Sequence, residues 1–151
     1  MRPQIQKQPG PAIVEQAPQS AELDLVIPFT TPGLTRAAIS AANRMGAGLN
    51  AALRLVRVQV VPFELDLSRP PVFIDFLKEQ LTGFESSLPI AGEVRLARDF
   101  EDGLKGTLGP DSVVILATKR RPWRTSTQRL SRSLRRSGYR TVLVGTEDQN
   151  A

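Results

Sequence analysis

Asp111-Ser112-Val113-Val114-Ile115-Leu116-Ala117 and the later Thr141-Val142-Leu143-Val144-Gly145 decide the fold. Both runs are short, apolar and unalternated, which is how strands buried on both faces read. Between them lie a basic segment, Lys119-Arg120-Arg121-Pro122-Trp123-Arg124, and a Ser/Arg-rich helical pattern around Leu130 and Leu134. Strand, helix and strand in about thirty residues make a βαβ unit. A parallel sheet built from such units holds ligands at the carboxyl ends of its strands, and here that end carries the most basic part of the chain.

Working back, Leu23-Asp24-Leu25-Val26-Ile27-Pro28-Phe29 reads as a strand that Pro28 ends. Thr31-Pro32 is a helix start, and Leu34, Ala38, Ala41 and Met45 recur at helical spacing up to Gly46. The next strand, Leu53 to Val61, alternates in part because Arg54, Arg57 and Gln59 interrupt it, so it is expected to be less buried than the strands at 23 and 113. Val72, Phe73, Phe76, Leu77, Leu81 and Phe84 predict a second helix. Ile90 to Ala97 predicts a strand with Glu93 and Arg95 on a wet face, near a sheet edge. Asp99 caps a short third helix weakened by Gly103 and Gly106, and a fourth helix spans about 125–137. The alternation of strand and helix predicts an α/β fold: a three-layer α/β/α sandwich around an open, five-stranded parallel sheet.

The chain has 151 residues, enough for one domain with a sizeable core. Residues 1–21, with four prolines and five glutamines, read as a disordered tail. The folded domain is expected over 22–146, with a flexible end at 147–151. Nine of the 20 Lys/Arg and none of the 15 Asp/Glu fall within 119–146, so one basic module sits on a near-neutral body and attracts anions. Without Cys or His, thiol chemistry, Ser-His triads and the commonest metal ligand are excluded. No catalytic pair and no metal cluster is visible. With no apolar run near a membrane span, a cytoplasmic protein is the expectation.

Three stretches resemble the universal stress protein family: Leu25-Val26-Ile27-Pro28-Phe29, Ala41 to Ala47 followed by Leu53 to Val58, and the closing strand-helix-strand ending in Thr141 to Val144. The resemblance implies an adenine nucleotide alpha hydrolase-like fold with strand order 3-2-1-4-5, a stress-response role and a homodimer through the fifth strand at Thr141, Val142, Leu143 and Val144. ATP-binding members carry an acid where this chain has Thr30, and a glycine-rich loop where 117–129 has no glycine. A backbone without glycine cannot approach phosphates closely. The expectation is therefore a non-enzymatic regulatory or interaction domain with no cofactor, its nucleotide motif degenerate. Its candidate ligand is a small anion held by Lys119, Arg120, Arg121 and Arg124, facing Thr30 and Thr31. The alternatives are an ATP/AMP binder that uses arginines in place of the glycine loop, and an electrostatic nucleic-acid or anionic-membrane binder, with Trp123 as a stacking residue. Ser126, Ser131, Ser133 and Ser137 read as polar helix surface, with phosphate contact as the alternative.

Overall fold

The computed structural model describes residues 12–14, 22–65, 74–119 and 126–146. In chain order the elements are β1 (Ala12–Val14), β2 (Leu23–Pro28), α1 (Pro32–Gly46), β3 (Ala51–Val60), α2 (Ile74–Glu79), β4 (Ile90–Ala97), α3 (Phe100–Lys105), β5 (Ser112–Lys119), α4 (Ser126–Arg136) and β6 (Arg140–Thr146). Five strands form the open parallel sheet in the order β4-β3-β2-β5-β6, which is 3-2-1-4-5 counted from β2. The short β1 adds a sixth, antiparallel strand on the outer side of β4. Part of the expected tail is therefore strand. Three residues among scattered prolines give no period from which to read it.

The sheet's two faces are set by alternation along each strand. Leu25, Ile27, Leu53, Leu55, Val94, Val113 and Ile115 pack with α1 residues Ala38, Ile39 and Ala42 and with Leu77 of α2. Val26, Val56, Val58, Val114 and Leu116 pack on the other face with Leu104 of α3 and Leu134 of α4. The small residues of α1 bring that helix close to the central strands. Its start is fixed as expected: the Thr31 hydroxyl accepts from Leu34 N, with Pro32 in the first turn. Met45, expected inward, is 38% exposed because the inner face of α1 ends with Ala41, Ala42 and Gly46. α2 stops at Glu79 and does not run on to Phe84. The Thr82 hydroxyl donates to Glu79 O, and Gly83 takes φ +87, a turn that side chains resist.

Gly103 has a packing reason for breaking the helical preference of α3. A Cβ there would lie 2.7 Å from both Ala97 Cβ and Val58 Cγ1, so the helix rests on β3 and β4 with no room for a methyl group. Gly103→Ala is expected to destabilise the domain by about 1–3 kcal/mol despite alanine's better helix propensity. A urea midpoint at or above that of the wild type would contradict this packing.

Candidate functional site

The two ends of the sheet differ. At the amino ends, the face that carries α3 and α4 opens onto a charged cluster. Arg54 of β3 grips Asp24 of β2 with two parallel bonds, Nε to Oδ1 at 2.9 Å and Nη2 to Oδ2 at 2.8 Å. It also donates to Thr107 O at 2.7 Å and to Glu93 Oε1 of β4 at 3.3 Å. Ser112, the first residue of β5, donates to Asp24 Oδ2 at 2.6 Å and accepts from Gly109 N at 2.9 Å. Glu93 is only 4% exposed, and its second oxygen meets Arg95 at 3.3 Å. The expected wet face of β4 is therefore an ion-pair network, because Arg54 of the adjacent strand reaches across to neutralise it. β3 is correspondingly more buried than its alternation suggests.

This cluster sets the charge state of its members. Burial alone would raise the Asp24 carboxyl. The hydrogen bonds from Arg54 and Ser112 and the Arg54 charge outweigh it and hold the group below its ordinary value of 3.8. Burial likewise opposes the Arg54 charge, but Asp24 and Glu93 raise its pKa. On the same face, Glu101 of α3 accepts from Ser133 Oγ of α4 at 2.5 Å and from Lys105 Nζ at 2.9 Å, which lowers its pKa. Ser137 accepts from Lys105 Nζ at 3.0 Å, and Ser131 is buried. These three serines of the α4 segment join helix to helix or fill the core; they are not a free polar surface.

At the carboxyl ends the strands are paired unevenly. Recorded pairing of β2 with β5 stops at Val26–Val114, whereas β5 stays paired with β6 as far as Lys119–Thr146. Pro28 contributes no donor there. The strand order reverses between these two strands, since β2 feeds α1 on one face and β5 feeds α4 on the other. Exposed Thr30 and Thr31 lie just past the end of β2, and half-buried Lys119 ends β5. Thr30 N donates to the buried Thr35 hydroxyl at 3.2 Å, which fixes the turn into α1. The first turn of α1 carries no acid, so the positive end of its dipole meets no charged side chain of that turn. Arg120, Arg121, Arg124 and Trp123 lie outside the described residues. Among the described residues no group of three His, Cys, Asp or Glu side chains is gathered to hold a metal, and no helix is long and apolar enough to cross a membrane.

At the sheet's margin, β6 pairs with β5 alone among the described residues. Thr141 is buried, while Val142, Leu143 and Val144 are half-buried. Arg135 of α4 donates through Nε and Nη2 to Thr141 O, at 3.2 and 2.8 Å. That carbonyl therefore faces away from β5, and by alternation so do the amide groups of Leu143 and Gly145. Arg135 caps the start of an edge that is otherwise open.

A second concavity was not visible in the sequence. It is a cleft of about 630 Å³ between α1 and the turn after α2, floored by Phe29, Ile39 and Phe84. The rings of Phe29 and Phe84 meet edge to face, with centroids 6.3 Å apart. No protein-family model matches the chain, and no curated protein matches it.

The sign of the Asp24 shift gives a pH prediction. A lowered folded pKa contributes stability that is fully present above the ordinary value and is lost as pH falls through the folded one. Asp24→Asn should cost about 1–2 kcal/mol at neutral pH, and that cost should shrink as pH falls below the ordinary carboxylate value. Urea unfolding of both proteins across that range checks it, and a gap that does not change with pH would contradict the assignment.

Proposed function

We propose that the chain is a non-enzymatic regulatory or interaction domain of the universal-stress-protein type, which binds a small anion at the carboxyl ends of β2 and β5 and does not hold ATP in the family's usual way. The observation that carries this reading is the parting of β2 and β5 at the reversal of strand order. Ligands of open α/β sheets bind in such crevices. An anion there meets the Lys119 ammonium, the Thr30 and Thr31 hydroxyls and the amino end of α1, whose first turn contains no carboxylate to repel it. Arg120, Arg121 and Arg124 follow Lys119 directly in the sequence and supply further charge in this reading. Nothing in the proposal asks a residue to act as a nucleophile or a base.

The same reading makes β6 the seam of a homodimer. β1 lines three residues of the opposite margin, whereas no described strand pairs with the outer side of β6, whose half-buried Val142, Leu143 and Val144 carry no charge. An antiparallel pairing with a second copy uses the amide groups of Leu143 and Gly145 beyond the carbonyl that Arg135 caps.

Inorganic pyrophosphate at saturation and low salt is expected to raise the melting temperature by several degrees, as about 2–3 kcal/mol of binding linkage does for a domain of this size. Lys119→Ala should remove most of that shift. A larger shift with Mg-ATP that persists in moderate salt would replace this reading with nucleotide binding. A response to single-stranded DNA or anionic vesicles that collapses with salt would replace it with electrostatic polyanion binding. For the seam, Val142→Lys is expected to convert a dimer into a folded monomer in sedimentation velocity; a wild-type monomer at all accessible concentrations would remove the dimer from the proposal.

A further inference from the structure

We infer that the cleft between the amino-terminal half of α1 and the turn after α2 is a second binding site, and that its ligand class is a small aromatic carboxylate. This goes beyond the proposed anion site: its cation is Arg36, not Lys119. At about 630 Å³ the cleft is the size of a small-molecule site, within the usual range of about 300–1,000 Å³. Its lining divides by exposure. Ile39 is buried and Phe29 and Phe84 are half-buried, giving an apolar floor, while Arg36, Ser40 and Glu85 stand exposed at the rim.

The walls are held apart by bonds that do not depend on a ligand. Arg57 lies over the Phe29 ring at 5.1 Å and donates to Gln80 Oε1 at 2.6 Å, tying β3 to the far wall. Further along α1, Ser86 Oγ bonds Asn43 Oδ1 at 3.0 Å and clamps the loop to the helix. The edge-to-face contact between Phe29 and Phe84 joins the floor to the turn. A cavity fixed in this way before binding loses little ordering entropy when it is filled.

Charge selects an anion. Arg36 makes no ion pair among the described residues, and the hydrogen-bond partner of Arg57 is the neutral Gln80, so neither guanidinium is cancelled by a carboxylate. Glu85 is the one acid among the described lining residues. A guanidinium fork matches a carboxylate, and the Phe29–Phe84 pair offers ring faces and edges to an aromatic body.

Isothermal titration of the full chain with sodium naphthoate tests the site. Saturable one-to-one binding is expected. Ser40→Trp, which fills the cleft from an exposed helix position, and Arg36→Glu should each weaken it by about tenfold or more, and naphthylmethylamine, the cationic counterpart, should bind at least as much more weakly. Lys119→Ala should leave naphthoate binding unchanged. Both cleft substitutions lie on the surface of α1, and circular dichroism confirms that the variants are folded. Absence of saturable binding, full affinity in Ser40→Trp, or equal binding of the amine would overturn the inference. A loss in Lys119→Ala with none in Ser40→Trp would place naphthoate in the β2–β5 crevice and overturn it too. The pyrophosphate response reports on the crevice separately, so either site can fail alone.

Discussion

The grip of Arg54 on Asp24 is the constraint on which the sheet depends. The central strands are apolar on both faces, so a one-residue slip would exchange one apolar face for the other. The guanidinium does not tolerate that exchange. A one-residue shift of β3 would turn Arg54 to the opposite face, among Leu25, Ile27 and the alanines of α1, and would leave Asp24 and Glu93 without a countercharge. Taken out of water, such uncompensated charges cost several kcal/mol. One side chain thus specifies the alignment of β2, β3 and β4, while Ser112 and Thr107 bring the start of β5 and the end of the α3 segment to the same point.

Fixing the amino ends leaves the carboxyl ends to vary. There β2 stops at a proline while β5 runs on beside β6, and the turn from β2 into α1 is held by Thr35 and Thr31 and not by pairing with β5. The Phe29–Pro32 turn borders two openings. On one side β2 and β5 part, and on the other is the cleft floored by Phe29 and Phe84.

The unalternated apolar runs at 25–27, 113–117 and 142–144 made their strands readable, because short runs of that kind fit a strand covered on both faces. Thr31-Pro32 and Asp99 were readable as helix starts because capping is local chemistry. The charged cluster was not readable. Asp24 and Arg54 are thirty residues apart, and only the register that sets Val26 against Arg54 brings their side chains together. In sequence Arg54 and Glu93 looked like solvent-facing alternation, since a paired buried charge and a wet one give the same pattern. The cleft was hidden for the same reason: Phe29 and Phe84 both read as ordinary apolar residues until the fold set their rings edge to face. The positions of Thr30 and Thr31 just past β2, and of Lys119 at the end of β5, were legible because they follow from the strand boundaries alone.

The most direct test of the functional reading asks where an anion sits. In a nitrogen-15 correlation spectrum, titration with inorganic pyrophosphate should move the backbone signals of Thr30, Thr31, Gly33 and Lys119 together, along one saturable curve, and leave those of α4 beyond its first turn in place. Shifts confined to the exposed arginines of α4, or spread over all basic residues without saturation, would contradict a built anion site at the β2–β5 crevice and leave only a charged surface.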